Sequence, residues 1–166
     1  MTGAGNVFYM ILRGYYGTLA SFINRRLDMK QKTTFSPQLV ISHGVTDISF
    51  YTNAIGATEL RRFSNDDGSI HVSELEVDGQ VFHLHEEGRN YLSPQNAGGS
   101  TVSIGLWVDD VHSVMANAEA AGAIITSPVQ DYDYGYRQGG FTDPFGHHWL
   151  IEKDIRDEKP ATNNGN

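Results

Sequence analysis

Two histidines and a glutamate carry the most informative spacing in the chain. Ile70–Val77 and Gln80–Glu86 flank Asp78-Gly79, the dipeptide preferred in two-residue β-hairpin turns. Counting outward from that turn sets the register: Val77 opposite Gln80, Leu75 opposite Phe82, Glu74 opposite His83, Ser73 opposite Leu84 and Val72 opposite His85. If Leu75, Phe82 and Leu84 enter a core, Glu74, His83 and His85 share the other face, with the Cβ atoms of Glu74 and His83 about 5 Å apart. A carboxylate beside an imidazole could hold a divalent metal or move a proton, and it is equally an ordinary polar pair on a half-exposed strand.

A second stretch, Gln130–Glu152, is rich in aromatic residues and glycine. It reads as a loop, a short strand, a tight turn at Asp143-Pro144-Phe145-Gly146 and a closing strand, with Pro and Gly suited to the turn. Leu150 and Glu152, two apart on the closing strand, leave on one face. Trp107, Tyr132, Tyr134 and Tyr136 could stack on a planar or cationic ligand, and the tyrosines could equally pack at a dimer interface. Arg137 could pair with a ligand carboxylate or with an internal Asp. His147 and His148 read as structural or surface residues, and His43 and His112 as exposed. No Ser-His-Asp pattern, G-x-S-x-G motif or phosphate-binding glycine loop is present.

The elements that position these residues fall into two similar runs. Ser36–His43 alternates as a half-buried strand, Asp47–Gly56 follows as a short helix ending in glycine, and Thr58–Phe63 precedes the Asp78-Gly79 hairpin. After a polar linker at Glu87–Gly99, Thr101–Asp109 alternates again. Asp110–Ala121 reads as a helix capped by Gly122, and Ala123–Val129 is a strand that leads into the closing stretch. The helix-ending glycines Gly56 and Gly122 lie 66 positions apart, so the chain contains an internal β-α-β-β-β duplication.

The chain has 166 residues and a net charge of −8, which fits one globular domain and argues against nucleic acid or an anionic membrane as partner. It has no Cys, which excludes disulfides, thiolate metal sites and a Cys nucleophile, and a cytoplasmic location is expected. Residues 1–33 do not share the pattern of the rest. They are expected to be an N-terminal extension, with Met29 the better start, and residues 156–166 a disordered tail.

Ile48–Leu60, Ser73–Gly79, Trp107–Val111, Ala118–Ala123 and Tyr134–Trp149 together resemble the vicinal oxygen chelate superfamily, the glyoxalase/bleomycin-resistance/dioxygenase proteins, and more narrowly its PhnB-like branch. The resemblance covers Ser36 to about Asp154. It implies an α+β fold in residues 34–155, in which two β-α-β-β-β modules, about 34–87 and 100–155, form a curved mixed sheet around a concave pocket, commonly in a homodimer. Where the family places a Trp, this chain has Tyr134.

Metal-dependent members such as glyoxalase I use four ligands, which the resemblance maps onto Ser36, Glu74, Ser103 and Leu150. Only Glu74 is a good ligand: Ser hydroxyls bind such metals weakly and Leu has no donor. Glyoxalase I activity is therefore not expected. The expected function is metal-independent binding of a small organic molecule, of the antibiotic-sequestering kind, with Gln38, Glu74, His83, His85, Ser103, Trp107, Tyr134 and Arg137 lining the site and no cofactor. The alternative is a metal-dependent lyase or dioxygenase-like enzyme with a shifted site, in which Glu74, His83 and Glu152 hold Zn²⁺, Fe²⁺ or Mn²⁺.

Overall fold

The computed structural model describes residues 33–158. The chain divides into two units, Met1–Phe35 and Ser36–Asn166, and the description concerns the second. The expected extension and its Met29 start lie outside the described residues. Of the expected tail, Arg156–Glu158 form a turn in which Arg156 pairs with Asp154, and Glu158 pairs with Arg137 and Lys153. The remainder of the tail is likewise outside the described residues.

The first module runs β1 (Gln38–Ile41), α1 (Ser49–Ile55), β2 (Thr58–Ser64), β3 (Ile70–Val77) and β4 (Gln80–Glu86). A short helix, α2 (Pro94–Ala97), interrupts the connection. The second module runs β5 (Ser103–Trp107), α3 (Val111–Ala120), β6 (Ile124–Tyr132), β7 (Tyr136–Thr142) and β8 (His148–Asp154). Each module makes a four-stranded mixed sheet, in the orders β1-β4-β3-β2 and β5-β8-β7-β6, with one parallel pair each. The α+β fold with duplicated modules is thus the one expected.

Local chemistry explains the boundaries. Gly56 ends α1 with φ 70°, a left-handed position that glycine occupies without steric cost. Asp110 caps α3, accepting from the Ser113 N–H at 3.0 Å. Two elements depart from expectation. The stretch expected as an aromatic loop is largely strand: β6 continues to Tyr132, which pairs with Tyr136 across a three-residue turn, because the aromatic side chains favour the pleated ladder. The linker is also fastened rather than free. Glu87 accepts from Asn96 Nδ2 at 2.7 and 2.9 Å, and from the N–H and hydroxyl of Ser93 at 3.1 and 2.9 Å, so α2 is held to the end of β4.

The two modules share one core. Leu39, Ile41, Phe50, Tyr51, Leu75, Phe82 and Leu84 from the first meet Val111, Met115, Phe141, Phe145, Trp149 and Ile151 from the second. Tyr51 stands between them, stacked on Phe145 with centroids 5.6 Å apart and edge-on to Phe82 at the same distance. Its hydroxyl donates to Asp143 at 2.9 Å. Asp143 also accepts from the backbone N–H groups of Phe145 and His147, both at 2.9 Å, from Trp149 Nε1 at 3.0 Å and from His147 Nδ1 at 3.2 Å. Desolvation raises the Asp143 pKa, and the bonds from His147 and Trp149 outweigh this, so the carboxyl stays below its ordinary value. No helix among the described residues is long and apolar enough to cross a membrane.

Candidate functional site

In the first sheet the hairpin register is the one counted from Asp78-Gly79: Glu74 faces His83 and Val72 faces His85. The parallel strand adds Gln38 beside His83 and Val40 beside His85, while β2 places Arg61 beside Glu74 and Phe63 beside Val72. Leu39, Leu75, Phe82 and Leu84 are buried behind them. Gln38, Glu74, His83 and His85 therefore share one outward face. The hydrogen-bonding neighbour of His83 there is Ser36, whose hydroxyl lies 3.1 Å from Nδ1 and 3.0 Å from the Val81 carbonyl. The rings of His83 and His85 are 6.0 Å apart. Burial, with the charges of His83 and His71 behind it, lowers the His85 pKa.

The equivalent face of the second sheet is aromatic. Ser103 lies beside His148, Gly105 beside Leu150 and Trp107 beside Glu152, and β7 adds Gly140 beside Leu150 and Gln138 beside Glu152. Glu152 is only 9% exposed. A Cβ on Gly105 would lie 3.1 Å from Glu152 Oε1, so the bare glycine makes room for the carboxylate. The Tyr134 hydroxyl donates to Gln138 Oε1 at 2.6 Å, and the Gln138 amide donates to Glu152 Oε2. Trp107 meets Tyr136 edge-on at 5.0 Å, and Tyr134 meets Tyr136 edge-on at 5.7 Å while stacking on Tyr132 at 5.0 Å. Desolvation, then the neighbouring Tyr132 and Glu152, raises the Tyr134 pKa.

Arg137 departs from this group. It precedes Gln138 by one residue, so it leaves the opposite side of β7 and clamps Asp131 with bonds of 2.7 and 2.9 Å. Of the two partners considered from sequence, an internal Asp is the one it finds.

The two parallel pairs have the same register: Gln38 pairs with His83 and Ser103 with His148, a separation of 45 residues in each. Of the four mapped metal-ligand positions, Ser36, Glu74, Ser103 and Leu150, the structure places Glu74 opposite His83 and Leu150 beside Gly105. These residues do not fit a metal: the Ser36 hydroxyl is engaged with the Val81 carbonyl and His83, and Leu150 carries no donor atom. The alternative trio is split, with Glu74 and His83 on the first sheet and Glu152 on the second. Among the described residues, no three His, Asp or Glu side chains form a group that could hold a metal ion.

A groove of about 480 Å³ is lined by Pro37, Gln38 and Val40 near β1, by Leu92, Pro94 and Ala97 of the connection, and by Val102, Ile104 and His147 of the second module. Sequence reasoning missed this groove, because α2 is too short to leave a periodic signal. Gln138 was missed as well, although its alternation with Tyr136 predicts their common face.

A duplicated βαβββ unit with two mixed four-stranded sheets defines a paired-module α+β fold. The family model of the Glyoxalase/Bleomycin resistance protein/Dioxygenase superfamily matches residues 46–151, and the chain belongs to that superfamily. An uncharacterized protein of Mycobacterium bovis is 34% identical over 127 residues, covering 74% of this chain and 84% of that one. A gene product from Arabidopsis thaliana is similar in structure, with 27% identity, a TM-score of 0.56, and coverage of 72% of this chain and 98% of that one. TioX from Micromonospora sp. ML1, at 24% identity, has a TM-score of 0.57 and is covered in full by 74% of this chain, a likeness of fold.

Proposed function

We propose that this chain is a metal-independent small-molecule-binding protein of the PhnB-like branch, acting by sequestration as a cytoplasmic homodimer. One observation carries the reading: the second sheet presents Trp107, Tyr134 and Tyr136 around a carboxylate held by Gln138, while the positions mapped from metal-dependent relatives hold two serines, a glutamate and a leucine. Aromatic walls with a few fixed polar groups suit an organic ligand. Each face lies open on its own sheet, and a second copy of the chain would supply an opposite wall. A thermal-shift screen of small molecules and divalent metals tests this. A small organic ligand is expected to raise Tm in metal-free buffer through preferential binding to the folded state. Stabilisation by metals alone would overturn the reading.

A metal-dependent lyase or dioxygenase-like enzyme is the second reading. The pairing of Glu74 with His83, and the neighbouring His85, supports it. Metal analysis of protein purified from supplemented medium separates the two: a stoichiometric metal lost on substituting His83 would favour the enzyme.

A further inference from the structure

Among the described residues, Glu152 is a buried acid with no basic partner. Its Oε2 accepts one bond from the neutral Gln138 amide, and only 9% of the residue is exposed. The basic side chains near it are paired with other carboxylates: Lys153 with Glu158, Arg137 with Asp131 and Glu158, and Arg156 with Asp154, its guanidinium lying over the Tyr136 ring 5.8 Å from the centroid. A carboxylate removed from water without an opposite charge is costly, and a cation brought beside it recovers that cost. Beside Glu152 across the parallel ladder stands Trp107, 54% exposed, with Tyr136 edge-on to its indole. An indole face attracts positive charge, and Arg156 over the Tyr136 ring shows the same attraction within the chain. On another side of Trp107 lies a cleft of about 360 Å³, lined also by Asp78, Val108, Asp109, Lys153 and Asp154, where carboxylates outnumber the single lysine.

We propose that the corner made by Trp107, Tyr136 and Glu152 selects organic cations, with the positive centre against the indole face and the Glu152 carboxylate. An alkylated ammonium or a cationic nitrogen heterocycle meets these requirements, because its charge is spread and it sheds water easily beside an aromatic ring. A neutral isostere keeps the stacking and loses the charge pairing. This inference rests on the small-molecule reading above and names the class of its ligand. It needs no covalent or redox step.

The test uses calorimetric titration of the full chain with N-methylquinolinium, a fixed cation, and 4-methylquinoline, its near-isostere, at a pH where the latter is neutral. The wild type is expected to favour the cation about tenfold, a preference that added salt reduces. Glu152→Gln keeps the volume and removes the charge, so it should weaken N-methylquinolinium more than 4-methylquinoline and reduce the preference several-fold. Trp107→Leu, at an exposed position, should weaken both ligands. Equal affinities in the wild type, or a preference undiminished by Glu152→Gln, would overturn the cation proposal. If both molecules bind equally and Trp107→Leu weakens both, small-molecule binding at this corner stands and charge selection falls. If neither binds the wild type, the proposal for this corner falls, and the thermal-shift screen judges the broader reading separately.

Discussion

The hairpins that close the two modules occupy equivalent places and are built in opposite ways. Between β3 and β4, Asp78-Gly79 is exposed and made by backbone geometry, with φ of 47° and 78°. Between β7 and β8, the turn buries Asp143, Phe145 and His147, and one carboxylate gathers donors from its own turn, from Trp149 and from Tyr51 of the other module. A duplicated fold has two copies of every turn and needs only one to join its halves. The copy in the second module does the joining, which leaves the first free to set the register of a polar face. The faces differ in the same manner. The first carries Gln38, Glu74, His83 and His85, and the second carries Trp107, Gln138 and Glu152.

The largest expected effect tests the joining role. Asp143→Ala strands a buried hydroxyl, an indole N–H and two backbone N–H groups, and should cost about 4 kcal/mol. Asp78→Ala at the exposed turn should cost about 1 kcal/mol or less. Urea denaturation of both variants measures the pair, and similar losses would remove the distinction between the turns.

Glycine at the two tips gives a finer comparison. Gly79→Ala meets no atom within 4 Å and suffers only from its positive φ, about 1 kcal/mol. Gly146, with φ 93°, would place a new Cβ 2.9 Å from Pro94 Cβ, a rigid ring carbon. Gly146→Ala should therefore cost about 2–3 kcal/mol by the same measurement. Tyr51→Phe removes one of the five donors while keeping the ring packing, and should cost about 1 kcal/mol.

How much of this was legible depended on how local the cause is. The Asp78-Gly79 register followed from sequence because a two-residue turn fixes every pairing along the hairpin, and the structure has those pairs. The duplication was legible because both helices end at glycines with strands on either side. The five-donor role of Asp143 was not, since Tyr51 lies 92 residues away and no spacing rule connects them. Arg137 belongs to the family motif at Tyr134–Trp149, and the motif does not say which way its side chain leaves. Alternation along β7 puts it on the side opposite Gln138, where it clamps Asp131. Glu74 enters the ligand set through the family motif Ser73–Gly79, and the structure places it opposite His83, as the hairpin register predicts.

The smallest expected effect concerns the first module's own carboxylate anchor. Glu87 holds the connection through Asn96 and Ser93, and those bonds, Asn96 first, lower its pKa from 4.5 to about 2. A folded-state pKa below the unfolded value means that the unfolded chain takes up the proton first as pH falls. The stabilisation from Glu87 is therefore complete above its ordinary value of 4.5 and disappears as pH drops toward about 2. Glu87→Gln cannot ionise and should be less stable than the wild type at neutral pH, with the gap closing across that window. Urea midpoints measured from neutral pH downward give the two curves. Asp143 also has a lowered pKa, but it joins the modules, so its loss should lower stability across the whole molecule. If Glu87 serves only the connection, hydrogen exchange in Glu87→Gln should rise in α2 and leave the β7–β8 turn protected. Equal loss of protection at both places would mean that the two anchors form one unit, and the contrast between the modules would then be one of degree.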